Sequence, residues 1–147
     1  MSKVYLPVLA VALALAGCDA FSSDEPVPFE RLELPASPVL VNGTAVIRDE
    51  SRLESFARLQ GGGSLPVPEV DFERQLVVGV FYGGSFHAGC GGDVEVVEAV
   101  RDTGDALVVE VGPLPDLGPC RAVVYPAEMV VVDGTAPKVR FAGEVPE

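Results

Sequence analysis

The chain has 147 residues, 22 of them acidic and 10 basic, for a formal net charge of −12 with a single histidine. That balance excludes a nucleic-acid-binding face, which needs clustered positive charge, and a basic membrane-binding face, which needs the same. Solubility, or life in salty water, is the plain reading of the acidity; an acidic recognition face is the alternative.

The first predicted element is an apolar run. Lys3 precedes an uncharged stretch from Val4 to Ala16, shorter than the ~20 apolar residues that cross a bilayer core, so residues 1–17 read as a signal peptide. The run ends in Leu15-Ala16-Gly17-Cys18, which resembles the lipobox of bacterial lipoproteins, where the cysteine itself is the acceptor. The resemblance implies cleavage between Gly17 and Cys18, diacylglycerol on the Cys18 thiol, and usually acylation of the new amino group. The alternative is a secretory signal peptide with a chance cysteine. Buried acyl chain contributes ~0.8 kcal/mol per methylene, so two or three chains make a lasting anchor. The implied location is a bacterial cell envelope, periplasmic or at the surface. Asp19 resembles an inner-membrane retention signal and Ser22-Ser23-Asp24-Glu25 a surface-export tether, and the two point in opposite directions.

Residues 18–38 follow as an acidic, proline-rich tether. Chain of this kind extends at ~3.1 Å per residue, so about twenty residues could hold a domain some 60 Å from the membrane. Phe29, Leu32 and Leu34 leave an alternative in which the later half docks as an edge strand. Residues 39–147 suit one compact domain. Within it, "VLVNGTAVIRD" (39–49) places β-branched runs around Asn42-Gly43 and predicts a hairpin; Asn42-Gly43-Thr44 also has the pattern of a glycosylation sequon, read here as a turn. "SRLESFARLQG" (51–61) has Ser51 and Glu54 as a capping box, Leu53, Phe56 and Ala57 on one face and Gly61 as a stop, so it predicts the one helix. The glycines that follow lack the lysine and the helix of a phosphate loop.

From Val70 the pattern is strand-like. "QLVVGVFYG" (75–83) is apolar on both faces, as for a central strand covered by the helix on one side. "DVEVVEAVRD" (93–102) and "DALVVEVG" (105–112) alternate on either side of Asp102-Thr103-Gly104-Asp105 and predict an antiparallel hairpin. "CRAVVYPAEMVVVDG" (120–134) predicts a strand bent or ended at Pro126, and "PKVRFAG" (137–143) a last short one. The fold class is therefore α+β, one helix packed on a mostly antiparallel sheet of six or seven short strands.

"VDFERQLVVGVFYGG", the loop "SFHAGCGG", then "VEVVEAV", "LVVEV", "LGPC" and "VVYPAEMVVVDG", in that order, resemble the C-terminal domain of the PrcB family, named for lipoprotein subunits of a surface protease complex. The resemblance covers roughly residues 39–142 and is best at Val70-Asp71-Phe72, the glycine loop, Gly118-Pro119-Cys120 and Tyr125-Pro126. It departs from the family pattern at Ala88-Gly89-Cys90-Gly91-Gly92, where a threonine-glycine-glycine-tyrosine-like stretch is expected. The resemblance implies a non-catalytic accessory domain that binds or stabilises another extracytoplasmic protein, a subtilisin-like protease being the family's example.

The residues themselves offer little catalysis. Ser85 and His87 would need an acid and an oxyanion site assembled around them. His87 and Cys90 have metal-like spacing, but a closed zinc site needs four ligands and only Cys120 remains as a thiol. Cys90 and Cys120 have a stronger claim on each other, as the two cysteines left in an exported domain, with free buried thiols as the alternative. Tyr82, Phe86 and Tyr125 lie in or beside loops at a strand end, where a ring can anchor a protein contact; core packing is the competing role for Tyr82 and Tyr125. Phe86 and His87, near the tip of the Gly83–Gly92 loop with its five glycines in ten residues, are the candidate contacts. The expectation is a lipid-anchored, non-enzymatic protein-binding module with no cofactor and no metal. Its partner is an unidentified protein, a protease being one candidate. The alternatives are an inhibitor-like domain, a metal- or serine-dependent hydrolase, and a purely structural envelope protein.

Overall fold

Apolar stretches as continuous as Gln75–Phe81 and Ala127–Asp133 are buried only if both of their faces are covered, and that requirement organises the fold. The computed structural model describes residues 24–32, 42–61, 69–83, 86–88, 94–114, 122–124 and 126–146. In chain order these form β1 (Glu25–Pro26), β2 (Phe29–Leu32), β3 (Gly43–Ile47), α1 (Glu50–Gly61), β4 (Gln75–Phe81), β5 (Phe86–Ala88), β6 (Val97–Asp102), β7 (Leu107–Val111), β8 (Ala122–Val124), β9 (Ala127–Asp133) and β10 (Val139–Gly143). A central sheet runs β2-β9-β4-β3, an outer sheet β1-β6-β7-β10, and β5 pairs with β8 in a separate ribbon.

The central sheet is the middle layer of three. Leu76, Val78 and Val80 of β4 and Val130 and Val132 of β9 turn to the outer sheet, where they pack with Val97, Val100, Leu107, Val109 and Val111. The alternate residues Val77, Phe81, Met129 and Val131 turn the other way and pack with Ile47 and with Leu53 and Phe56 of α1. The rings of Phe56 and Phe81 lie 5.0 Å apart between centroids. Gly79 makes room for this: a Cβ there would sit 2.6 Å from Cε2 of Phe81, so the ring lies flat over a position with no side chain.

The α+β class stands, with one helix and mostly antiparallel strands among the described residues. A single sheet of six or seven strands gives way to two four-stranded sheets and a ribbon. The reason is the second covered face of β4, which the apolar run demands without saying whether helix or sheet supplies it. The hairpin at Asp102–Asp105 forms as read, with Asp102 opposite Leu107, the Thr103 amide donating to the Ala106 carbonyl at 3.0 Å, and Gly104 at φ 80°. β10 pairs with β7 in parallel, the one parallel ladder described.

Four local readings change. Residues 24–32, placed in the tether, instead take the edge-strand course: β1 pairs with β6 in the outer sheet, and β2 pairs with β9 in the central sheet. The helix begins before Ser51, because Asp49 is its cap. Oδ1 of Asp49 accepts the Arg52 amide at 2.9 Å and the Ser51 hydroxyl at 2.7 Å, and both bonds hold its carboxyl below the usual carboxylate range. Glu54 pairs with Arg58 at 3.0 Å in place of closing a capping box. Finally, Gly43 lies within β3 and opposite Phe81 of β4, so Asn42-Gly43 starts a strand of the central sheet; residues 39–41, the other arm of the expected hairpin, lie outside the described residues.

Candidate functional site

β4 and β9 are neighbours in the central sheet, and the chain between them leaves from Phe81 and returns at Ala127, at the same end. The two segments pair again beyond that end: Phe86 lies opposite Val124, His87 opposite Val123 and Ala88 opposite Ala122. Continued unchanged, the β4–β9 register would set Phe86 against Ala122, so the ladder is offset where the ribbon begins. The stretch read as a glycine loop thus contains a strand. Phe86 and His87 sit on that strand and not at a loop tip, because the partner that organises them lies more than thirty residues further along the chain and has no local signature.

The base of the ribbon is tied to both sheets. The Tyr82 amide donates to the Pro126 carbonyl at 3.0 Å, and the Gly83 amide donates to Oδ1 of Asn42 at 3.0 Å. A side chain at Gly83 would press on Asn42, its Cβ only 2.8 Å from that of the asparagine. Tyr82 was a candidate contact ring; it is instead buried, 9% exposed, in the core between the sheets. Its hydroxyl donates to the Glu144 carbonyl just past β10. Burial, and secondarily the charge of Glu144, push its phenol above the ordinary value of 10.0. Tyr82 therefore braces the ribbon's base.

Beside it lies an arrangement the sequence reading did not single out. Glu128, on β9, is 6% exposed. Its Oε2 accepts the amides of Val96 and Val97 at 2.6 and 2.7 Å, and its Oε1 accepts Nε of Arg31, on β2, at 2.6 Å. Nη2 of Arg31 also donates to the Val97 carbonyl at 3.0 Å. A buried carboxylate with three donors is electrostatically satisfied. Its chemistry here is structural, cross-linking the central sheet to the start of β6. The available signal was alternation: Glu128 shares the inward face of β9 with Val130 and Val132, where an acid needs partners.

The opposite end of the sandwich carries an open polar cavity of about 320 Å³ lined by Asp71, Arg74, Gln75, Asp133 and Gly134. Its groups serve a turn. Oδ1 of Asp71 accepts the Glu73 amide at 3.1 Å, the Asp71 carbonyl accepts the Gln75 amide at 2.7 Å, and Nε2 of Gln75 donates to Asp133 at 2.8 Å. Among the described residues no three His, Cys, Asp or Glu side chains converge as metal ligands. Cys18, Cys90, Cys120, Ser85 and Tyr125 lie outside the described residues, so the acylation and disulfide expectations rest on sequence. Among the described residues, no helix is long and apolar enough to cross a membrane.

Searched against family models, curated proteins and solved structures, the chain matches none of them. The resemblance to the PrcB C-terminal domain is carried by its motifs alone.

Proposed function

We propose that this protein is a lipid-anchored extracytoplasmic binding module, an accessory or stabilising subunit of a protease or other envelope complex, acting without catalysis of its own. The observation that supports this reading most is the β5–β8 ribbon. It extends the central strand pair beyond the sandwich from a base tied down at Tyr82, Gly83 and Glu128. A rigid base with an extended strand pair is a construction suited to offering edge and side-chain contacts to another chain. Phe86 and His87 contribute a ring and an imidazole to it.

The experiment is site-specific photo-cross-linking in living cells, followed by a binding measurement. A photoreactive residue at His87 or Val123 should give a discrete protein adduct, whereas one at Val108, on the far face of the outer sheet, should give none. Phe86→Ala with His87→Ala should then weaken binding of the identified partner by more than about 1 kcal/mol while the circular dichroism spectrum is unchanged. Adducts from Val108 alone, or unaltered binding by the folded double variant, would remove the ribbon from the interface. Cys18→Ser should release the protein from membranes or leave uncleaved precursor, and an intact mass showing a bare cysteine would remove the anchor.

A further inference from the structure

The anchor and the ribbon belong to opposite ends of the sandwich. Glu25 pairs with Asp102 and Pro26 with Arg101 at the far end of β6. The Val27 amide donates to the Val100 carbonyl at 2.8 Å, and Phe29 then crosses to lie opposite Val132 near the end of β9. Asp24 adds an ion pair to Arg101 at 3.7 Å. Residues 24–32 are thus spent on the fold and unavailable as spacer. The ribbon leaves from Phe81 and returns at Ala127, the other ends of these strands. β4 and β9 have seven residues each, which at ~3.3 Å per residue separates the two ends by about 20 Å.

We infer that the end of the sandwich formed by Glu25, the Asp102–Asp105 turn and Asp133 faces the lipid headgroups at close range, and that the ribbon points away from the membrane. The inference rests on the proposed acylation of Cys18. From Cys18 to Glu25, seven residues on, even a fully extended chain reaches only about 24 Å. That replaces the spacing of some 60 Å expected when the whole of residues 18–38 is read as tether. The membrane-facing end carries exposed charges of both signs, with Glu25, Asp105 and Asp133 beside Lys138 and Arg74. A partner that meets the ribbon therefore does so on the side of the domain remote from the anchoring bilayer.

The test uses the acylated full chain in vesicles carrying an acceptor dye on the lipid headgroup, with a fluorescent amino acid at Asp105 or at Glu98, the latter near the ribbon end of β6. Energy transfer from position 105 should be the stronger, given a separation of roughly 15 Å along β6 and its turn. Inserting about twenty Gly/Ser residues after Ser23, a coil of roughly 25 Å, should lower the transfer from 105 toward that from 98. Floating protein with equal or inverted transfer, or transfer indifferent to the insertion, would overturn the orientation while leaving the anchor intact. Protein that does not float, with an intact mass showing unmodified Cys18, would overturn the anchor and this inference with it.

Discussion

Nε of Arg31, on an edge strand, lies 2.6 Å from Oε1 of Glu128 on the neighbouring central strand, and Glu128 also holds the Val96 and Val97 amides. The acid has a 7% exposed side chain and the base a 43% exposed one, so removing each costs differently. Glu128→Ala strands the Val96 and Val97 amides and should destabilise by about 2–4 kcal/mol. Arg31→Ala leaves the acid two backbone donors and exposes it to water, for about 1–2 kcal/mol. Urea denaturation at neutral pH checks both; equal costs would mean that the backbone amides contribute nothing.

Gly79 and Phe81 should behave as one unit. Gly79→Ala collides with the ring that covers it and should cost about 1–3 kcal/mol by overpacking. Combining it with Phe81→Leu should cost less than the sum of the two single changes, because the smaller side chain clears the new methyl. A double variant whose cost is additive in thermal melts would show that the ring does not lie over Gly79.

Tyr82 gives the alkaline limit a direction. Its phenol is held up chiefly by burial, so the folded state favours the neutral form. The stability this contributes is full below pH 10 and is lost as pH rises through the raised folded value. Tyr82→Phe should lower stability at neutral pH through the lost bond to the Glu144 carbonyl, yet flatten the decline above pH 10. Absorbance titration at alkaline pH should show one tyrosine ionising late, and a decline unchanged in the variant would assign it elsewhere.

Asp49 gives the acid limit the opposite sign. Its carboxyl is lowered by the Ser51 hydroxyl and the Arg52 amide, so its contribution is present above pH 3.8 and fades as pH falls through the lower folded value. Asp49→Ala should reduce the melting temperature more than Ser51→Ala, since the aspartate caps the helix and the serine only orients it. The reverse order would return the cap to Ser51.

Cys90 and Cys120 lie outside the described residues, and as the two cysteines left in an exported domain they are expected from the sequence to pair with each other. Non-reducing peptide mapping should recover the two together. Cys120→Ala should lower the melting temperature by the equivalent of roughly 3.5 kcal/mol for a loop of about thirty residues. Two freely alkylated thiols in unreduced protein would exclude the bond.

Helical and strand periods were legible wherever partners lie close in sequence. Leu53, Phe56 and Ala57 marked the buried helix face, the alternation of Leu107, Val109 and Val111 marked the inward face of β7, and Pro126 marked the break before β9. Long-range pairing left no such mark. Glu25-Pro26 and Phe29–Leu32 look like tether because edge strands tolerate proline and charge. Their partners, Arg101 and Val132 among them, are distant in sequence. The ribbon was hidden by its flanking glycines for the same reason. Cys18 was read from its lipobox, Cys90 and Cys120 as the thiols left in an exported domain, and the contacts at Phe86 and His87 from their place in a glycine-rich stretch.

The crossing of residues 24–32 from one sheet to the other has a consequence for the order of assembly. Arg31 and Glu128 are separated by 97 positions in the chain, so a polypeptide delivered amino end first holds β1 without a partner until β6 has emerged, and β2 until nearly its whole length has. Closing so long a loop is entropically slow, and the strands it waits for are the most apolar in the protein. The waiting segment is suited to the delay: prolines at 26 and 28 and acids at 24, 25 and 30 deny a stray edge the means to pair. The seating of β2 is then expected to be a late step of folding. Pulling on that segment from its amino end would be expected to undo the same step first, opening both sheets at one edge before either core is exposed.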